Sequence, residues 1–110
     1  MLSHGSIVRA WHGWTTPEDA AAYDELLNGT IAPGIMAREI PGLRGLTVLR
    51  RIPTEAPAHF LTLMTFDNWA AVERFAGQDA TASVVPPTAR ALLARHDERS
   101  QHFEVRHHHA

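Results

Sequence analysis

Histidine and tryptophan side chains are the groups in this sequence that are most able to do chemistry. His12 stands between Trp11 and Trp14, and His102 lies near the other end of the chain. Because an imidazole titrates near neutral pH, either histidine could take a proton from a substrate as a general base. Tryptophan rings could form the wall against which a flat aromatic ligand stacks. His12 and His102 are therefore the candidate catalytic residues.

Five further side chains complete the candidate site. The residues expected to bind substrate are Trp11, Trp14, Tyr23, Trp69 and Arg50. Each also has a purely structural interpretation. The tryptophans and Tyr23 could fill a core or an interface, and Arg50 could form a surface ion pair instead of holding a phenolate oxygen. His102 could be a structural histidine that is hydrogen-bonded to strand one or to His59.

The composition excludes several classes of site. The chain has 110 residues, a net charge of -2 and no cysteine, which rules out thiolate metal sites, iron–sulfur clusters and a cysteine nucleophile. His12, His59 and His102 lack the sequence spacings typical of metal ligands, so we expect no metal. There is no glycine-rich phosphate loop and no interleaving of basic and aromatic residues. We therefore expect no cofactor and no nucleic-acid partner.

The length predicts one domain over residues 1–110, with a core at about 7–106. The tail, residues 107–110, contains three consecutive histidines that are either native or a tag remnant, and they are left out of the functional interpretation. The N-terminal residues have neither a basic nor an apolar signal region, and no long apolar run follows. We expect a cytoplasmic protein without a membrane partner.

The first half of the chain predicts a strand, a helix and a second strand. Residues 7–14 are rich in β-branched and aromatic types, as in strands. Thr16 and Pro17 are typical of a helix N-cap and first helical position. An apolar stripe runs through Tyr23 and onward, interrupted by glycine and proline, which predicts a kinked helix or two short ones. Residues 43–52 then form the second strand.

The second half predicts two more strands and two helices. Residues 59–66 are the most apolar strand, joined to the second strand by a short proline-containing turn as a hairpin. Asp67-Asn68 caps a second helix that Gly77 ends, and a third helix is predicted over 88–96. Residues 101–106 alternate as a final strand. The predicted fold is α+β and ferredoxin-like, βαββαβ, with a four-stranded antiparallel sheet.

Both faces of the third predicted strand are apolar. Phe60 and Met64 lie on one face, and Leu61 and Leu63 lie on the other. The predicted helices suffice to cover only one face of the sheet. The other face is therefore expected to pack against a second copy of the chain, as a homodimer.

The order and spacing of these segments resemble the antibiotic biosynthesis monooxygenase-like family of dimeric α+β barrels. The resemblance includes Pro41-Gly42 before the second strand and Phe75-Ala76-Gly77 at the end of the second helix. It extends over residues 7–15, 40–45, 49–51, 66–68, 75–79, 84–87 and 102–105. It implies a homodimer that binds a small, flat, apolar or aromatic ligand, and a cofactor-independent monooxygenase activity on phenolic substrates.

The resemblance also implies two alternative functions. One is a non-catalytic dimer that binds a ligand or serves in a stress response. The other is a haem-binding or haem-degrading member in which His96 or His102 ligates the iron. Haem-degrading members use an asparagine on strand one, a tryptophan in helix two and a later histidine. Here strand one has no asparagine, and Phe75 and Val85 stand at the other two positions.

Overall fold

The computed structural model describes Leu2 and residues 4–110. Met1 and Ser3, which belong to the N-terminal residues predicted to carry no signal region, lie outside the described residues. The strands are β1 (Ile7–Thr15), β2 (Leu43–Arg50), β3 (Ala58–Phe66), β4 (Arg95–His96) and β5 (Gln101–Glu104). The helices are α1 (Pro17–Leu26), α2 (Ala32–Met36), α3 (Trp69–Ala76) and α4 (Pro87–Arg90). A π-helical segment, Leu27–Ile31, joins α1 to α2.

The strands form one antiparallel sheet in the order β2-β3-β1-β4, and β5 also pairs with β1. β4 pairs with Gly13 and Trp14, whereas β5 pairs with residues 7–10 of the same strand. The two short strands therefore share one edge of β1. The predicted α+β, ferredoxin-like fold is confirmed, with five strands rather than four.

The predicted kink in the first helical region takes the form of a π-helical turn. Thr16 caps α1 by accepting a hydrogen bond from the backbone N–H of Asp19. The helix then widens over Leu27–Ile31, where Asn28-Gly29 interrupts the apolar stripe, and narrows again at Ala32. The backbone stays right-handed helical at both ends of this turn, at Leu26 and Ala32, and Leu27, Ile31 and Ile35 line one cavity.

The predicted third helix over 88–96 is wrong beyond its first turn. α4 ends at Arg90, and the chain then returns to the sheet as β4. The backbone N–H of Ala94 donates to the carbonyl of Trp14 at 2.8 Å, and that of Asp97 donates to the carbonyl of His12 at 2.9 Å. Pairing with β1 thus prevails over helix propensity. β2 and the final strand are also each two residues shorter than predicted.

The helices cover one face of the sheet, here called the helix face, and the other is called the open face. Tyr23 packs edge-on against Phe60 at 5.0 Å between ring centroids, and Phe66 lies 6.0 Å from Phe75. These contacts bring α1 and α3 onto the helix face. The open face carries the alternate side chains of β1 and β3, namely Val8, Ala10, His12, Trp14, His59, Leu61, Leu63 and Thr65.

Candidate ligand-binding site

A cavity lies on the helix face, between the middle of the sheet and the first helical region. It holds about 520 Å³ of empty space, part of which is open to solvent. Most of its lining is apolar and comes from the π-helical turn, α2, the sheet, α3 and the segment that leads into α4, including Leu27, Ile31, Ile35, Met64, Phe75 and Val85. Such a concave, mostly apolar lining with few polar groups is typical of small-molecule sites.

Arg9 is the charged residue in the cavity lining, and it is 3% exposed. Its Nη1 donates to the carbonyl of Ala80 and to His102 Nε2, the latter at 3.0 Å, and its Nη2 donates to the carbonyl of Ala82 at 2.9 Å. The guanidinium also lies 5.3 Å from the ring centroid of Phe75. Burial lowers the pKa of Arg9 from its ordinary value.

His102 lies beside Arg9 because β5 pairs with β1 in a register that sets the two residues opposite each other. A guanidinium has only donors, so His102 Nε2 accepts and the imidazole is neutral. Burial, and then the charge of Arg9, lower the pKa of His102. The edge of Trp69 packs against this imidazole at 4.9 Å between centroids. His102 is thus held as a neutral imidazole whose acceptor nitrogen is bonded to Arg9.

Tyr23 contributes a second polar group to the cavity. The residue is 1% exposed, and burial raises the pKa of its hydroxyl to about 12, so it stays protonated at neutral pH. The described hydrogen bonds give this hydroxyl no partner, and because no described side-chain oxygen is both buried and unpaired, the hydroxyl oxygen is accessible. Gly13 permits its position, because a Cβ there would lie 3.3 Å from the Tyr23 oxygen and 2.9 Å from Leu93 Cδ2.

Trp11 forms one wall of the cavity and fixes the segment that follows α3. Its Nε1 donates to Ser83 Oγ at 2.8 Å and to the carbonyl of Asp97 at 2.9 Å. The ring stacks on His96 at 5.6 Å between centroids, and His96 Nδ1 lies 3.0 Å from the carbonyl of Asp97. These contacts hold the Trp11 ring in one orientation along the cavity.

His12 and Trp14 lie on the open face, away from this cavity. His12 Nδ1 and His59 Nε2 are 2.8 Å apart and share a hydrogen bond. Trp14 stacks on His59 at 4.8 Å between centroids, and the Arg95 guanidinium lies 3.9 Å from the Trp14 ring centroid. Burial, and then the charges of His12 and Arg51, lower the pKa of His59. The result is a second aromatic cluster, separated from the cavity by the sheet.

Arg50 lies at the end of the β2–β3 hairpin. Its guanidinium lies 5.3 Å from the Phe60 ring centroid. It lines a separate, mostly polar groove together with Trp14, Arg51, Glu55 and His59. Arg50 is therefore not part of the helix-face cavity.

The structure divides the predicted site residues into three groups. Trp11 and Tyr23 line the helix-face cavity. His102 and Trp69 lie next to each other, with His102 bonded to the lining residue Arg9. His12 and Trp14 share the open face, and Arg50 lies at the hairpin. Within the described residues, no group of three or more histidine or acidic side chains is arranged to hold a metal.

Arg9 is the site residue that the sequence reasoning missed. The signal was present, because Arg9 alternates with Trp11 on the same face of a strand that is otherwise apolar or aromatic. A charged residue at a position that should be buried is the informative exception in such a strand. Its interpretation depends on which face the helices cover.

The sequence matches no model of a protein family and no curated protein. Solved structures do match it. A Bacillus cereus protein assigned to the antibiotic biosynthesis monooxygenases superposes with a TM-score of 0.67 at 10% identity, over 98% of this chain and 99% of that one. SnoaB from Streptomyces nogalater, a cofactor-independent oxygenase, superposes with a TM-score of 0.61 at 15% identity, over 96% and 97%.

The chain has the fold of these proteins. A dimeric ferredoxin-like protein of unknown function from Thermobifida fusca shares it too, with a TM-score of 0.52 at 15% identity over 92% of both chains. The likeness covers nearly the whole chain at low identity, so it concerns the fold. The predicted resemblance is confirmed at that level. None of the helices in the described part of the chain is long and apolar enough to span a membrane.

Proposed function

We propose that this protein binds a small, flat, largely apolar ligand in the helix-face cavity and oxygenates it without a cofactor. The cavity itself carries the proposal: its walls are apolar, and the polar groups of Arg9 and Tyr23 reach it. The description of SnoaB as a cofactor-independent oxygenase supports the same chemistry on the same fold. Trp11 and Tyr23 are the proposed ligand contacts.

The proposed reaction begins with the loss of a proton from a phenol or an anthrone-type CH₂ group. His102 is the proposed base: its imidazole is neutral and adjoins the lining residue Arg9, and its Nε2 releases the Arg9 hydrogen bond to take the substrate proton. The resulting carbanion transfers electrons to O₂, and the CH₂ group and O₂ become a ketone and water. The substrate is oxidised and oxygen is reduced, so the balance requires no other redox partner. Apolar walls keep water away from the intermediate.

Oxygen uptake tests this proposal. Purified protein is mixed with a panel of anthrones and hydroquinones in a closed oxygen electrode, and the quinone product is followed by absorbance. His102→Asn should lower the rate by about a hundredfold or more, the usual range for loss of a general base. His12→Asn, on the open face, should retain most of the rate. A loss confined to His12→Asn would reverse the assignment of the base.

Binding without oxygen uptake across the panel would contradict the oxygenase and support a non-catalytic ligand-binding protein. Absence of both binding and turnover would remove the cavity as a site for aromatic ligands. Intrinsic tryptophan fluorescence measures binding independently of turnover, because Trp11 lines the cavity.

We propose further that the protein acts as a homodimer whose subunits meet through their open faces. Leu61, Leu63 and Trp14 are only partly buried in the single chain, and Leu49 and Phe103 are 43% and 55% exposed. An apolar sheet face of this kind is rarely left in water. The dimeric Thermobifida fusca protein of the same fold supports this assembly.

Native mass spectrometry tests the dimer, which should appear at twice the chain mass of 12.2 kDa. Leu63→Glu places a charge on the open face and should yield a monomer. Glu73→Lys, an exposed change on α3, is the matched control and should leave the dimer intact. A wild-type monomer at micromolar concentration would contradict the proposal.

A further inference from the structure

The geometry points to an acidic ligand: we propose that the helix-face cavity selects molecules carrying one ionised oxygen group, held by the Arg9 guanidinium with the Tyr23 hydroxyl as a second donor. The inference rests on the proposed function, in that it assumes that this cavity binds a ligand. It adds the charge of that ligand and the residues that recognise it.

Arg9 is a buried cation with no counter-ion among the described residues. In the described part of the chain, the ion pairs Arg44–Asp67, Arg99–Asp79 and Arg106–Glu104 are all exposed, and none involves Arg9. The partners of Arg9 are two backbone carbonyls and one imidazole, which solvate the charge but do not neutralise it. A buried charge left without an opposite charge is costly, so an anion that enters the cavity gains a large electrostatic attraction.

The guanidinium retains donors for such an anion. It has five N–H groups, and three hydrogen bonds to the described residues occupy three of them. The described hydrogen bonds leave the Nε–H and one Nη2–H free, and since no described side-chain nitrogen is both buried and unpaired, the Nε atom is accessible to a ligand. The two bonds that Nη1 makes fix the plane of the group. Free donors on a pre-oriented guanidinium are suited to a carboxylate or phenolate oxygen.

Tyr23 offers a second donor to the same cavity. The described hydrogen bonds give its protonated hydroxyl no partner, although the residue as a whole is 1% exposed. No described side-chain oxygen or nitrogen is both buried and unpaired, so this hydroxyl oxygen is accessible, and Tyr23 lines the cavity. A ligand oxygen there would accept its hydrogen bond.

No carboxylate among the described residues that line the cavity opposes an anion there. The described residues that line the cavity include no aspartate or glutamate. Its other polar side chains are Trp11, Thr62 and Ser100, all of them neutral. The electrostatic character of the cavity is therefore set by Arg9 alone.

Matched ligand pairs test the proposal with the wild-type protein. Binding is followed by tryptophan fluorescence and calorimetry for 2-naphthoate against 2-naphthamide, and for 4-nitrophenolate against 4-nitroanisole. The first pair measures the preference for a carboxylate and the second that for a phenolate. A charge-assisted hydrogen bond predicts that the anion binds about tenfold to a hundredfold more tightly than its neutral counterpart in at least one pair.

Variants then assign the preference to Arg9. Arg9→Met should abolish the preference for the anion while retaining the affinity for the neutral ligand, and Tyr23→Phe should weaken anion binding by a smaller factor. Arg74→Met, which removes an exposed arginine from α3, is the matched control and should change neither. Arg9→Lys, which keeps the positive charge, should retain part of the preference for the anion. It replaces Arg9→Met as the test variant if circular dichroism shows that Arg9→Met does not fold.

The outcomes separate the two proposals. Equal affinity for both members of each pair in the wild type would overturn the acidic-ligand proposal and leave the ligand-binding cavity in place. A preference for the anion that persists in Arg9→Met would contradict the role of the Arg9 charge. So would a complete loss of that preference in Arg9→Lys, because lysine keeps the positive charge. Failure of all four ligands to bind would overturn the cavity function, and this inference with it.

Discussion

The helix face and the open face of the sheet carry similar side chains in different surroundings. On the helix face, Trp11 and His102 are fixed by bonds to Ser83, Asp97 and Arg9. On the open face, His12 and Trp14 stack with His59, no helix in the described part of the chain covers them, and the Arg95 guanidinium lies over the Trp14 ring. One strand, β1, supplies residues to both. The comparison shows that enclosure, more than residue type, makes the helix face the candidate site.

The largest expected difference between the two faces is in the free energy of unfolding. Phe60→Ala should cost about 3–5 kcal/mol, because a fully buried ring on the helix face leaves a cavity. Leu61→Ala changes the next residue of β3, which points to the open face, and should cost clearly less. Urea unfolding at low protein concentration measures both. Equal costs would mean that the open face is as well packed as the helix face within one chain.

The next largest effect concerns close packing against a glycine. Gly13→Val should destabilise the fold by about 1–3 kcal/mol, since its Cβ would lie 2.9 Å from Leu93 Cδ2 and 3.2 Å from the Trp11 ring. Gly45→Val on β2 is the matched control, because a Cβ there meets nothing within 4 Å. Thermal unfolding measures both variants. If Gly45→Val were the more harmful change, the close packing around Gly13 would not be what constrains the sheet.

A smaller effect separates the two tryptophans of β1. Trp11→Phe removes two hydrogen bonds from the indole N–H and should cost about 1 kcal/mol beyond the loss of ring area. Trp14→Phe removes no indole hydrogen bond recorded among the described residues, and should instead weaken the dimer. Chemical denaturation and sedimentation equilibrium distinguish the two outcomes. Weaker dimerisation in Trp11→Phe alone would reverse the assignment of the faces.

The smallest expected effect is a pH dependence carried by one histidine on each face. Burial lowers the pKa of both His59 and His102, so the folded protein binds their protons less readily than the unfolded chain does. Their contribution to stability is therefore complete above the unfolded pKa, which is about 6.5. It declines as the pH falls below that value and is lost once the pH is below the lowered pKa of the folded state.

The two histidines should differ in how this pH dependence varies with protein concentration. His102→Asn should flatten the slope of unfolding free energy against pH equally at all protein concentrations. His59→Gln should flatten it more at the higher protein concentration, at which the open faces associate. Denaturant titrations between pH 5 and 8 measure the slope at two protein concentrations. A slope that neither variant changes would assign the pH dependence to other groups.

Much of the fold was predictable because it rests on local signals. The cap signals at Thr16 and Asp67-Asn68 and the apolar run over residues 59–66 predicted elements close to those observed. β4 was missed, because two residues carry no strand pattern of their own and owe their conformation to pairing with Gly13 and Trp14. Of the predicted site residues, Trp11 and Tyr23 line the helix-face cavity, whereas His12, Trp14 and Arg50 do not.

The sequence by itself determined which side chains share a face of each strand, since side chains alternate along a strand whatever it packs against. This alternation alone separates Trp11 from Trp14. Only the tertiary structure decided which face the helices cover, and it brought together Arg9 and His102, 93 residues apart. That choice depends on the packing of α1 and α3 against the whole sheet, which is a property of all the strands together rather than of any one segment.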